Sequence, residues 1–493
     1  MSISLYSLLS ILLYLTILFF SSLFGSINTL HSSYQLFLQS LYGCVFVFSS
    51  FIYMKPKLQK ILIILCFSIT ALLFIGHTIS PSLFSFLTTD PYQFILRIQN
   101  EHNHLGDFAG IAFVATLLNP LHWIPTILFL LFTVGIMAVS FSKSAFLGVL
   151  VVFFVLAIQK KGKYLLGFLI ILLISLITIA IYTKEFSGIP LIQSSQKIMT
   201  QTLHLNPKPL LSVRDSYYPQ VFRAWKSAPL EQFLFGYGPG NYIYPSVKTG
   251  VTTDLTPAET HNIFLSIFIE SGFLSLFWFL IFCIVILFVG LKQKNPSVYL
   301  FLYLLVNFQT DYTYIIPFFM VLFFFFAGQS VYKKDKSRRE KIIMGIFFSI
   351  ILIYTIYSGV TYFSLKQNKN MLETQLTQAT IQQDKKTVQQ TLKSLEELTP
   401  YEESELVKWS SIQEAFGNAP EAIRLLEKLS VYSPRWYLLY LPHQLDLQKK
   451  SNIDLNKYLM ERKKDFAKFP FTKEEKKQLN TLCETYAKIS CVE

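Results

Sequence analysis

Runs of roughly 20 consecutive apolar residues recur through the first three quarters of this chain. Each is long enough to cross a hydrocarbon core of about 30 Å as a helix. Spans are expected near 3–24, 33–53, 61–79, 108–122, 124–141, 145–159, 164–182, 263–291, 297–311, 314–332 and 342–363. The first lacks a basic leader and a small-residue cleavage site, so it is read as a span rather than a signal peptide. With 52% hydrophobic and 15% charged residues, the fold class is all-α: a polytopic helical membrane protein of about 11 spans.

Charge orients the bundle. Lys55, Lys57 and Lys60 form one basic cluster, and Lys160, Lys161 and Lys163 a second. Lys292 and Lys294 form a third; Lys333, Lys334, Lys336, Arg338, Arg339 and Lys341 form the fourth. These 14 cations face two acids, Asp335 and Glu340, a surplus of 12 against a chain-wide +13. The positive-inside rule puts all four clusters in the cytoplasm, which an N-terminus inside and eleven spans satisfy. The net charge therefore reports topology, and nucleic acid is not an expected partner.

Four parts follow: membrane spans over 1–182, a large extracytoplasmic loop over 183–262, further spans over 263–364, and a soluble extracytoplasmic helical domain over 365–493. In the last part, Glu414 to Ile423 followed by Leu425-Leu426-Glu427-Lys428 and Ser433-Pro434 resembles one tetratricopeptide unit. A plain helical domain without a ligand is the alternative. Cys44, Cys66 and Cys283 sit in apolar spans as hydrophobes, while Cys483 and Cys491 lie where a disulfide could form.

Polar residues at span ends gather on the expected outer face: Asn103-His104-Leu105-Gly106-Asp107, Ser142-Lys143-Ser144, Asp311-Tyr312 and His261-Asn262, together with Arg214 and Arg223 in the large loop. Ionisable groups at membrane depth are costly and usually face a cavity or a partner. Guanidinium groups grip phosphate oxygens in a planar fork, and histidine moves protons near neutral pH. A lipid-borne phosphate substrate suits such a face. Singly, Lys143 could merely snorkel to headgroups and His261 could be structural. Glu270 lies roughly 13 Å below His261 along a straight helix; it is either an acceptor-side proton acceptor or a packing residue beside Gly272. Asp107, Asp215, Asp254 and Asp311 are isolated in sequence, and no zinc-type Cys/His spacing occurs, so no metal and no cofactor is expected.

The order Ser212-Val213-Arg214, then Gly236-Tyr237-Gly238-Pro239-Gly240-Asn241, then His261-Asn262-Ile263-Phe264-Leu265 and Glu270-Ser271-Gly272 resembles the O-antigen ligase and O-unit polymerase family. Asn103-His104-Leu105-Gly106 and Ser142-Lys143-Ser144 are similar to that family's earlier patches. The sequence departs from the pattern where Lys143 stands in place of an arginine. The aromatic residue expected after the loop arginine is Tyr218, and the loop Trp is Trp225.

The resemblance implies a GT-C-like enzyme of the cell (inner, cytoplasmic) membrane. Such an enzyme passes glycan from undecaprenyl diphosphate to a glycan, lipid or protein acceptor on the outer leaflet. Catalysis then needs stabilisation of negative charge and removal of the acceptor's proton. Arg214, Arg223 and Lys143 are the candidates for the diphosphate, Arg214 favoured by the Ser-Val-Arg spacing. His261 is a general base or a diphosphate ligand. Asn103, Asn262, Gly238, Asn241 and Glu270 complete the substrate-side set, with the Gly-rich turn shaping the loop over the site. A flippase for lipid-linked saccharides is the alternative, though it would want ionisable groups through the bundle.

Overall fold

The structure, a computed structural model, describes residues 3–26, 28–52, 102–120, 122–140, 142–159, 214–242, 260–311, 313–333, 337–400, 402–432, 434–466 and 473–492, with positions 61, 65 and 68. The spans expected at 61–79 and 164–182 lie outside the described residues apart from those three positions. Among the described residues every regular element is helical.

The membrane part begins with α1 (Ile3–Phe24), α2 (Thr29–Phe51), α3 (His102–Leu118), α4 (Trp123–Ser140) and α5 (Lys143–Gln159). Next come α6 (Arg214–Ser227), the short α7 (Leu230–Phe235), α8 (Ile263–Gln293), α9 (Ser297–Thr310), a 3-10 turn (Thr313–Ile315) and α10 (Pro317–Ser330). The long α11 (Arg338–Ile381) leads to α12 (Lys385–Leu398), α13 (Glu403–Ala415), α14 (Ala419–Tyr432), α15 (Pro434–Lys450), α16 (Leu455–Phe466) and α17 (Lys473–Ala487). Among the described residues, three helices, α1, α8 and α11, are long and apolar enough to cross a membrane on their own, and α3, α4, α5, α9 and α10 are shorter apolar helices.

Helices that meet lipid turn apolar side chains outward. Ile127, Leu128, Phe154, Ile158, Ile284, Phe288, Ile353 and Phe363 are all exposed, a belt no water-facing surface would keep. Between them an aromatic core joins α2, α8, α9 and α10. Phe301 meets Phe323 at 4.6 Å and Phe46 meets Phe282 at 5.1 Å between ring centroids. Gly110 and Gly148 make room for Tyr303, since a Cβ at the first would lie 2.1 Å from its hydroxyl oxygen and one at the second 2.8 Å from its ring. Small side chains likewise let α11 close on α2, where Ser358 reaches Ser40 at 3.2 Å and Gly359 abuts Phe37.

Polar groups are sorted to the two ends of this bundle. At one end the Gln329 amide donates to the Ser49 and Ile52 carbonyls, and Asn295 donates to Gln329 O at 2.6 Å. Tyr299 donates to Gln159 there as well. These contacts gather the end of α2, the end of α5, the α8–α9 turn and the end of α10 at one end of the bundle.

A reciprocal capping box starts α11: Ser337 Oγ accepts from Glu340 N at 3.2 Å and Glu340 Oε2 accepts from Ser337 N at 2.9 Å. The helix then runs unbroken through position 364, so the last span and the first helix of the C-terminal domain are one rod. That domain has its own core around Leu392, Leu406, Trp409, Leu426, Leu441, Leu445 and Leu459. Cys483 and Cys491 are joined by a disulfide.

Glu396 carries the domain's main ion-pair network. It accepts two bonds from Arg424, at 2.9 and 2.6 Å, and one from Lys428, while Arg424 also binds Glu421. Burial raises the Glu396 carboxyl, but these cationic donors outweigh it and hold it below its ordinary value. The contribution is therefore full above the unfolded pKa of about 4.3 and is lost as pH falls through the lowered folded value. Hydrogen exchange of α14 amides should accelerate on acidification into that window in the parent protein. In Glu396→Gln it should already be faster at neutral pH, by the equivalent of about 1 kcal/mol, and depend less on acid.

Candidate active site

The end of the bundle opposite Gln329 carries a continuous polar network. Asp107, in the second turn of α3, is fully buried. Its Oδ1 accepts from Ser142 Oγ at 3.1 Å, Ser144 Oγ at 3.0 Å and Asn307 Nδ2 at 2.5 Å. Its backbone carbonyl takes the Tyr303 hydroxyl at 3.1 Å. Thr313 donates to Asn307 Oδ1 at 2.6 Å. Ser144 also lies 3.4 Å from Asp311 Oδ2, and Asp311 Oδ1 stands 4.0 Å from His261 Nδ1. Two acids far apart in sequence thus meet at one hydroxyl.

His261 is held by its neighbours. Thr260 Oγ1 donates to Asn262 O at 2.6 Å and contacts Tyr314 OH at 3.2 Å. Asn262 is the N-cap of α8: its Oδ1 accepts from Phe264 N and Leu265 N at 3.0 and 3.1 Å, and its Nδ2 donates to Gln309 O at 3.2 Å. Between them His261 has a φ of 54°, a left-handed conformation that a non-glycine residue adopts at some cost and that clusters at functional sites. Its side chain is 24% exposed, against 3% for Asp311, so the imidazole is the solvent-facing member of the pair.

α6 lies against α8. Val221 and Ala224 bury themselves with Tyr237, Tyr242 and Ile269, and Tyr218 OH reaches Gln309 O at 3.5 Å, the carbonyl that Asn262 also uses. Arg214 opens α6, one turn before Tyr218. Arg223, nine residues on and half a turn round, is exposed. Helical spacing therefore groups position 214 with the residues that pack toward α8 and α9, and sets position 223 on the far side. Lys143 is the first residue of α5, between the two serines that bind Asp107, and Asn103 is in the first turn of α3, one turn ahead of Asp107.

The Gly-rich turn forms a second group beside the first. Gly240 N–H donates to Glu270 Oε2 at 3.0 Å, and Ser266 donates to Glu270 Oε1 at 3.4 Å. Asn241 Nδ2 donates to Ser32 Oγ at 2.9 Å, which donates to Pro239 O at 3.0 Å. Gly238 packs on Ser26. The turn is thus clasped between the α1–α2 connection and a kink in α8 at Gly272, whose φ is 79° and ψ 176°. A Cβ on Gly272 would lie 2.2 Å from Leu234 O, and one on Gly236 2.3 Å from Glu270 O. A small cavity of about 70 Å³, lined by Tyr14, Gln39, Gly240, Ser266, Glu270 and Tyr314, lies beside this clasp.

Sequence reasoning put Asp107 and Asp311 on the polar outer face without giving either a role in the site, and left out Asn307 and Thr313. A carboxylate inside an apolar helix was the available signal for Asp107. Asn307 and Thr313 gave none, since each is an ordinary residue near a span end. Among the described residues no three His, Cys, Asp or Glu side chains are grouped to hold a metal ion.

Fold and site together define a multi-helix membrane protein with an ionisable polar centre confined to one end. A family model described as O-Antigen ligase matches residues 127–280, the stretch that holds Lys143, Arg214, the Gly-rich turn, His261 and Glu270. That stretch of the chain is similar to the O-antigen ligase family. No curated protein and no solved structure matched the chain.

Two substitutions check the scaffold of this site. Asn262→Ala removes the α8 cap, which should cost about 1 kcal/mol and lower the melting temperature in detergent. Gly272→Val forces a side chain into the Leu234 backbone, and the expected result is little or no folded protein on size-exclusion chromatography.

Proposed function

We propose that this protein transfers glycan from a polyprenyl diphosphate, undecaprenyl in the bacterial case, to an acceptor hydroxyl at the outer face of the cell membrane. The observation that carries the proposal is the His261–Asp311 pair standing at the polar end of a domain that matches O-antigen ligases. His261 takes the acceptor's proton as its oxygen attacks the anomeric carbon. Asp311 orients the imidazole and stabilises the cation that forms. The bond to the diphosphate oxygen breaks, and the lipid diphosphate leaves with the electron pair.

Arg214 and Lys143 neutralise that leaving group, and Arg223, on the solvent side of α6, meets the donor earlier or more peripherally. The diphosphate is already an activated leaving group, so cationic side chains suffice and the reaction runs by inversion without a metal. Asn103 and Asn262 flank the same end, and Glu270 with Gly238 and Asn241 shapes the acceptor side.

The side of the membrane follows from charge. The basic clusters face the cytoplasm, which turns the opposite end, with His261 and Asp107, outward. The Cys483–Cys491 disulfide supports an oxidising compartment for the C-terminal domain, and its packed helix pairs, such as α13 with α14, support a tetratricopeptide-like reading. A one-ended site favours an enzyme over a flippase, which would need polar groups reachable from both faces.

The test is purified protein with an undecaprenyl-diphosphate-linked oligosaccharide, product length being followed on a gel. Transfer by the parent protein, and its loss by at least about 10²-fold in Arg214→Ala and His261→Ala with membrane insertion intact, is the expected result. Full activity in both variants overturns the proposal. A ladder without added acceptor identifies a polymerase; consumption of donor only after an envelope lipid or protein is supplied identifies a ligase.

A further inference from the structure

We propose that Asp107 is a positioning residue for this reaction: a buried carboxylate that fixes both the Asp311–His261 pair and the start of α5, where Lys143 stands. The inference rests on the reading of His261 as the group that handles the acceptor's proton.

Donor counting leads to it. Ser144 has one hydroxyl hydrogen and two carboxylates within reach, Asp107 Oδ1 at 3.0 Å and Asp311 Oδ2 at 3.4 Å. Ser142 also has one, and Asn307 supplies an amide N–H at 2.5 Å. Ser144, closer to Asp107 and also 2.9 Å from Ser142 Oγ, bridges the two carboxylates. Thr313, donating to Asn307 Oδ1, fixes which way round the Asn307 amide lies, so its N–H side faces Asp107. The chain of contacts therefore runs from the 3-10 turn through α9 to α3, and through Ser144 reaches Asp311 Oδ2. Its Oδ1 side faces His261.

The same carboxylate sets α5. Ser142 Oγ accepts from Ala145 N at 3.2 Å while donating to Asp107. The first turn of α5, and with it the backbone of Lys143, is thereby pinned to α3. Without an acceptor at position 107 the two serine hydroxyls and the Asn307 amide lose their common partner. Asp107 Oδ2, buried and without a hydrogen-bond partner, marks how far this carboxyl is committed to one side. Three donors crowd a single oxygen while the other has none, an arrangement that packing alone does not require and that costs desolvation of the unpartnered atom.

An isosteric change separates positioning from support. Asp107→Asn keeps the shape of the side chain but replaces the charged acceptor shared by Ser142, Ser144 and Asn307 with a neutral amide, so the hydroxyl that bridges to Asp311 is no longer held in place. In full-length protein reconstituted in nanodiscs with an undecaprenyl-diphosphate-linked oligosaccharide, kcat should fall on the order of 10²-fold. The KM for donor and the donor-binding stoichiometry should stay within about twofold. Ser144→Ala, which removes the bridging hydroxyl and leaves Asp107 in place, should give the same split with a smaller loss, and it decides the matter if Asp107→Asn does not assemble.

Parent kcat in Asp107→Asn, or in Ser144→Ala where the first does not assemble, overturns the inference. So does a fall in kcat that merely tracks a fall in binding stoichiometry, because that is a folding defect. His261→Ala runs alongside. If it is inactive while Asp107→Asn and Ser144→Ala behave as the parent, this inference alone fails; if it is fully active, the reading of His261 fails and this inference with it.

Discussion

A carboxylate, amide or hydroxyl inside a helical bundle in lipid has no water to bind, so it must find its partner in another helix. That constraint organises the membrane part of this protein. At one end the Gln329 side-chain amide reaches the last carbonyls of α2 while its backbone carbonyl accepts from Asn295. At the other the Asp107 carboxylate collects Ser142, Ser144 and Asn307. The aromatic core between them, with Phe46, Phe282, Phe301 and Phe323 in contact, holds the helices together but does not by itself fix which end is which. The polar ties do, because each joins particular helix ends and accepts no slippage along the helix axis.

Two places of unusual backbone geometry lie near the site. His261 has a positive φ, and it sits between a capping Asn262 and a Thr260 hydroxyl that hold it there. The Gly236–Gly272 contact brings two backbones closer than any side chain would allow. The consequence for function is rigidity: the Gly-rich turn is clasped by Ser32 and Glu270 rather than hanging over the polar end. Glu270 is bound to the Gly240 amide, which connects the turn to the cavity that leads toward Tyr314 and Thr260.

Much of the architecture was legible from local signals. The apolar runs at 3–24, 33–53, 124–141, 145–159 and 263–291 coincide closely with α1, α2, α4, α5 and α8. His261-Asn262 marked a helix start, since Asn is a good cap. The end of the last span was not visible, because α11 continues as a polar helix whose residues propagate a helix as readily as those before them. The kink at Gly272 was not visible either, as a lone glycine inside an apolar helix is commonly tolerated without bending. For Arg214 and Arg223 the sequence offered two candidates, and helical spacing along α6 set them on opposite faces.

The sequence by itself determined that the chain makes apolar helices, which connections carry the cations, and which kinds of polar group stand near span ends. Those follow from composition over windows of a few turns, where lipid or water as the surrounding medium decides what each residue type does. Only the tertiary structure decided that Asp107 and Asp311, 204 positions apart, meet at Ser144 and that the second of them faces His261. Hydrogen bonds between helices depend on register and rotation, which packing across the whole bundle sets and which no local window of sequence encodes.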